Sequence, residues 1–171
     1  MRFFVLHSSL FVLLLAFCGC ATRYGWRSSV PEGMRTVSVP TFRNESEVSE
    51  LGSLATRQLL REFQREGTFK IRMTGDAALE IQGVVKSVTS LLSAYDRRSG
   101  GRVAAYTASV TAEVSIIDKR NRKVLVDNRR YVAEVPFTAG QDQTTAMRDA
   151  SGRLADDLAR RIVDDLLNLK W

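Results

Sequence analysis

From Ala104 to Ile116 the chain alternates without a break. Ala104, Tyr106, Ala108, Val110, Ala112, Val114 and Ile116 hold one parity, and Ala105, Thr107, Ser109, Thr111, Glu113 and Ser115 hold the other. A period of two with apolar and polar sides predicts a long, half-buried strand. The run "DKRNRK" then turns the chain over, and Val124–Val135 returns as the hairpin partner with a slip of phase at Asn128-Arg129. Upstream, Ala78–Leu92 is β-branched and alternating, but its phase changes at Gly83-Val84-Val85, where a glycine suggests a bulge. "YDRRSGGR" follows as a turn. Val37 and Val39 set against Thr36 and Ser38 predict a first strand that Pro40 closes, and "FKIRM" a further short one.

Two stretches follow the helical period instead. Leu51, Ala55, Leu59 and Phe63 step by four along one face, with Arg57, Arg61, Glu62 and Arg65 opposite. Asn44 to Ser49, with Asn44 three residues before Glu47, predicts the start of this helix, and Gly67 its end. Met147, Ala150, Leu154, Leu158, Ile162, Leu166 and Leu169 form the stripe of a final helix, whose outer face carries Asp149/Arg153, Asp156/Arg160 and Asp157/Arg161 at i,i+4 spacing. Together these elements predict one α+β domain over residues 33–171. It is a two-layer sandwich with two helices packed on one face of a mostly antiparallel, mixed four-stranded sheet. The other sheet face must be polar or be covered by something else.

The first residues obey neither period. Arg2 precedes an apolar run, Phe3–Phe17, too short to span a bilayer and ending in small residues and cysteine, which reads as an export signal over residues 1–19. Gly19-Cys20 has the form of a bacterial lipoprotein cleavage box, with a small residue before the cysteine. Phe17 before Cys18 suits that role badly. A Cys18–Cys20 disulfide would close a tiny strained ring, and zinc or iron lacks ligands, since His7 is the lone histidine and no further cysteine exists. Cys20 is therefore the expected lipidation site. Residues 20–32, without helical or strand period, are the expected tether. Two or more acyl chains anchor durably where one holds marginally.

Composition adds a basic balance, net +6 with a pI near 9.7. Charge of this sign suits acidic partners, but an exported, lipid-anchored chain rarely meets nucleic acid, so that class is set aside. No catalytic constellation stands out. Glu80, Glu113 and Glu134 have solvent-facing positions in the strand pattern, and "SGGR" lacks the lysine, serine and helix of a phosphate loop. The expectation is a protein without enzymatic activity, metal or cofactor. Arginine forks and lysine charges cluster instead in the two turns, with Arg97, Arg98 and Arg102 in one and Lys119, Arg120, Arg122 and Lys123 in the other. Such turns can hold anions, and they also serve plain solubility and edge protection.

The export box, Cys20 followed by Tyr24-Gly25-Trp26, "GMRTVSVPTFRNES", a helix ending "FQREGTFKI", the "ALEIQGVV" strand, the long hairpin and the final amphipathic helix together resemble the LPS-assembly lipoprotein family, LptE. The resemblance covers nearly all of the exported chain. It implies an outer-membrane lipoprotein that sits inside the LptD β-barrel, assists its assembly and binds lipopolysaccharide at the last step of export. Ala21 after Cys20, rather than aspartate, resembles the sorting signal for the outer membrane. The resemblance also implies a lipopolysaccharide contact at Arg97 or Arg98, while a second basic position before the last helix has no counterpart in Ala139–Met147. The alternative is an envelope lipoprotein that regulates a peptidoglycan synthase or joins a secretion complex. The tether, about 40 Å at full stretch, is short for the first, and the hairpin lacks aromatic girdles for the second.

Overall fold

The computed structural model describes residues 30–73, 75–95, 104–139 and 143–171. Strands β1 (Thr36–Ser38) and β2 (Arg43–Asn44) precede helix α1 (Leu51–Glu66), then come β3 (Lys70–Ile71), β4 (Leu79–Tyr95), β5 (Ala104–Asp118), β6 (Lys123–Ala139) and helix α2 (Gln143–Leu167). The class is the expected α+β, but the sheet has six strands rather than four. Its order is β3-β1-β4-β5-β6, and β2 lies beyond β1 on the same edge of β4. β1 and β2 run parallel to β4, whereas β4, β5 and β6 form the antiparallel meander that the alternation implies.

The parity of β5 decides which face is covered. Ala108, Val110, Ala112, Val114 and Ile116 are fully buried, while Thr107, Ser109, Thr111, Glu113 and Ser115 are only half-buried. α1 brings Leu51, Ala55, Leu59 and Phe63 onto the covered side, and α2 brings Ala150, Leu154, Leu158, Ile162 and Leu166. The Phe63 ring meets Phe69 edge to face at 5.4 Å. Gly67 closes α1 at φ 83°, a left-handed conformation that costs glycine little, and its N–H donates to the Phe63 carbonyl. On α2 the predicted pairs Asp156–Arg160 and Asp157–Arg161 form at 2.9 Å each, and no such bridge joins Asp149 to Arg153 among the described residues.

Three expectations are corrected. The phase of β4 changes at Lys86, where the register on β5 slips between Val85 and Ser87, and not at Gly83. Gly83 is instead a seat for the Phe42 ring. The helix start foreseen at Asn44 does not form. Asn44 ends β2, and α1 begins at Leu51 with Glu50 as a cap that makes no side-chain bond. On β6 the slip foreseen near Asn128 is present, with Asn128 at φ 40° and its N–H donating to the Ser115 hydroxyl. Val30, within the stretch read as tether, is buried in the core.

Candidate functional site

The β5–β6 turn is built around a buried carboxylate. Asp118, 1% exposed, ends β5 and accepts the Arg120 N–H at 3.0 Å and the Asn121 side-chain N–H at 3.1 Å. Such a self-bonded aspartate fixes a tight turn. Arg122 then takes φ 54° to complete the reversal. Burial opposes the ionised form of Asp118, but the Arg120 and Asn121 hydrogen bonds and the Arg120 charge outweigh it and hold the carboxyl below its usual range.

This geometry divides the four basic candidates of the turn. Lys119 bridges to Glu80 at 3.0 Å, while Arg120 folds back on Asp118 and reaches the Met34 sulfur. Lys119 is thus committed to holding the turn against β4, and Arg120 to holding it against the start of the domain. Arg122 and Lys123 are exposed and make no ion pair among the described residues. They remain the two side chains of this turn available to an outside anion. Glu80 is held low by hydrogen bonds from Gln82 and then Lys119.

Two carboxylates with depressed values fix the sign of the acid response. Each contributes stability that is present above its unfolded value, about pH 4, and is lost as pH falls through the lower folded value. Thermal unfolding is therefore expected to drop below about pH 4. Asp118→Asn is expected to lower stability at pH 7 by about 1–3 kcal/mol and to flatten that acid limb. A melting series across pH in both proteins checks this.

Arg97, Arg98 and Arg102 lie between β4 and β5, outside the described residues, as does Cys20. β5 has 15 residues, so its two ends, Ala104 and Asp118, lie about 45 Å apart at strand rise. The end with Lys119–Lys123 is also where the chain enters the domain, since Arg120 touches Met34 and Arg35 Nε donates to the Val30 carbonyl.

Between these ends lies the uncovered sheet face. Thr89, Ser109 and Glu134 form one row across it, Leu91, Thr107 and Pro136 another, Ser87, Thr111 and Val132 a third. Glu134 is the lone charge in these three rows, and the next row, Val84, Glu113 and Arg130, carries two opposite charges. Tyr106 and Tyr131 lie on the opposite face. Tyr131 is buried, and Tyr106 stacks on Phe137 with ring centres 5.3 Å apart. Glu80, Glu113 and Glu134 are spread along the sheet, opposite Ile117, Val84 and Ser109 respectively, so no two face one another as an acid–base pair needs.

Sequence reasoning missed a cleft of about 700 Å³ between the start of α1 and the first turns of α2, lined by Val48, Leu51, Leu54, Met147 and Arg148 with Glu47 and Glu50 at its rim. Its walls are nearly a hundred residues apart in the chain, so no local pattern signals it. No helix among the described residues is long and apolar enough to cross a membrane.

The fold is a two-layer α+β scaffold whose helices leave one sheet face uncovered, with basic side chains in the β5–β6 turn. The family model for lipopolysaccharide assembly, LptE, matches residues 34–166. The chain belongs to that family, as the sequence resemblance implied. Among solved structures, its fold is similar to a hypothetical protein, CT253, from Chlamydia trachomatis, with a TM-score of 0.54 at 10% identity, covering 78% of this chain and 96% of that one. It is also similar to a neuraminyllactose-binding haemagglutinin homologue from Helicobacter pylori, with a TM-score of 0.52 at 11% identity over 81% and 86% of the two chains. A third, protein XCC0632 from Xanthomonas campestris, has a TM-score of 0.50 at 13% identity over 77% and 83%. At such identities the likeness is one of fold alone. Among curated proteins nothing matches in sequence.

Proposed function

We propose that this chain is an outer-membrane lipoprotein, acylated on Cys20, that seats in the lumen of the LptD β-barrel, supports its assembly and contacts lipopolysaccharide on its way to the cell surface. The family match over residues 34–166 carries the reading. The bare sheet face supports it, because a surface of threonine, serine and valine with one charge across three rows suits an enclosing partner better than open water.

The geometry gives the reading a direction. Val30 lies ten residues from Cys20, a reach of at most about 33–36 Å, and it enters the domain at the Lys119–Lys123 end. The membrane anchor then belongs to that end, and the far ends of β4 and β5, which the segment with Arg97, Arg98 and Arg102 joins in sequence, face away from the anchored leaflet, deeper into a lumen. Arginine forks there would meet the lipid's phosphates bidentately. Arg122 and Lys123 stay near the base, and no enzymatic step is asked of the protein.

Co-purification with the LptD barrel after mild detergent extraction tests the partnership, and intact-mass measurement tests acylation at Cys20. A chain recovered alone at native levels would overturn the first, and an unmodified thiol the second. Charge reversal at Arg97 and Arg98 is expected to weaken lipopolysaccharide binding at least tenfold. The same reversal at Arg122 and Lys123 is expected to change it less than threefold. Equal losses from both turns would contradict the assigned direction.

A further inference from the structure

β4 has partners on both sides only as far as Val85. β5 follows its whole length on one side, while the other takes β1 at Leu79–Glu80 and β2 at Val84–Val85. Past that point no strand among the described residues pairs with it. The cause is Asn44. Its side-chain oxygen accepts the Ser46 N–H at 3.1 Å, and its amide donates to the Val48 carbonyl at 2.8 Å and the Ser49 carbonyl at 3.1 Å. That knot peels the chain off the sheet toward α1. The Glu45 N–H makes the last bond to β4, to the Val85 carbonyl, and the Glu45 carboxylate pairs with Lys86 to close the junction.

An open strand edge is a template for another chain, so proteins usually guard it with charge, proline or bulges. The opposite edge of this sheet is guarded in that way. β6 carries Lys123, Asp127, Arg129, Arg130, Glu134 and Pro136, with a bulge at Asn128. β4 is not guarded. Ser87 to Ala94 contains no charge and no proline, and the bulges at Lys86 and Ser93 bracket a regular stretch, Ser87–Leu92. Leu91 and Leu92 are 71% and 57% exposed there. Leu91 stands beside Thr107 on the bare face. Leu92 stands beside Tyr106 on the helix side, at the head of a row that continues to Phe137.

We propose that Ser87–Leu92 is a docking edge that takes one extended, uncharged segment of the barrel partner as an added strand. This rests on the reading of the protein as a barrel-seated lipoprotein. The open backbone asks for a strand, the absence of charge asks for a neutral one, and the two leucines offer an apolar contact on each face. A second copy of this chain fits less well. Six residues of edge alone fall short of the roughly 1,000 Å² that a stable dimer buries, whereas a barrel that already covers the adjoining Thr107–Thr111 face can continue onto this edge without a break.

Amide hydrogen exchange of the full acylated chain in detergent, alone and in complex with LptD, tests the proposal. The outward-pointing, alternate amides of Ser87–Leu92 are expected to slow at least tenfold in the complex and to be unaffected by raising the concentration of the free chain. Leu91→Lys with Leu92→Lys is expected to lower recovery of the barrel about tenfold with the thermal midpoint unchanged. Unchanged exchange in the complex would overturn the docking edge while leaving the partnership standing. Slowing with concentration in the free chain would assign the edge to self-pairing and overturn it as well. Failure of any barrel complex to form would overturn the partnership and this edge together.

Discussion

Gly83→Ala is expected to destabilise the domain by about 3 kcal/mol or more, and Gly83→Val to leave it unfolded at room temperature. A Cβ at position 83 would stand 2.2–2.4 Å from three carbons of the Phe42 ring. Overfilled cores lose about 1–3 kcal/mol when neighbours can shift, and more when they cannot. Phe42 cannot shift. Its N–H donates to the Thr56 hydroxyl at 2.9 Å, that hydroxyl donates to the Gly52 carbonyl at 2.9 Å, and its own carbonyl lies where a Cβ on Gly52 would come within 2.5 Å. The ring is thus pinned between a glycine on β4 and a backbone that α1 approaches through a second glycine. Urea unfolding of the purified chain measures the loss. The double variant Phe42→Leu with Gly83→Ala should recover more than 1 kcal/mol of it, because the clash and not the position is at fault. A loss below about 1 kcal/mol for Gly83→Ala would show that the ring relocates freely.

The same glycine marks where sequence reasoning reached its limit. Period-two parity gave β5 residue by residue, because a strand with one covered face must sort its side chains in that way, and period-four stepping gave the buried faces of α1 and α2 for the same reason. Parity also registered that β4 slips, but assigned the slip to Gly83. A missing side chain and an inserted residue look alike in a single sequence, and only the partner strand places the bulge at Lys86. β2 has two residues, too few to show any period, and its end depends on an Asn44 side chain that bonds two to five residues ahead. The β5–β6 turn was legible as a turn, and the other basic run, over residues 96–103, lies outside the described residues. The commitment of Lys119 and Arg120 was not legible, because Glu80 and Met34 come to them from 39 and 86 positions away. The open edge of β4 is a property of pairing, and pairing is nonlocal.

Asp165→Ala is expected to cost about 2–3 kcal/mol, through an interaction that ties α2 to the edge strand β6. Asp165 accepts the Tyr131 hydroxyl at 2.6 Å and the Arg129 guanidinium at 2.6 Å, so one carboxylate on the helix holds two side chains of the strand. Removing it strands the hydroxyl of a tyrosine that is only 8% exposed. Removing the hydroxyl instead, by Tyr131→Phe, takes away donor and burden together and should cost about 1 kcal/mol. If the clamp acts as argued, adding Tyr131→Phe to Asp165→Ala should recover part of the loss rather than add to it. Alkali offers an independent reading. Burial first, and then the bond to Asp165, push the Tyr131 hydroxyl well above its ordinary value. The folded state therefore favours the neutral form, and the stability this gives is present below the unfolded value of about pH 10 and lost as pH rises beyond it. Thermal midpoints should fall above about pH 10 in the parent chain and fall less steeply in Tyr131→Phe. Parallel slopes in the two proteins would mean that the hydroxyl is not held as the geometry indicates, and that α2 keeps β6 in place by its apolar stripe alone.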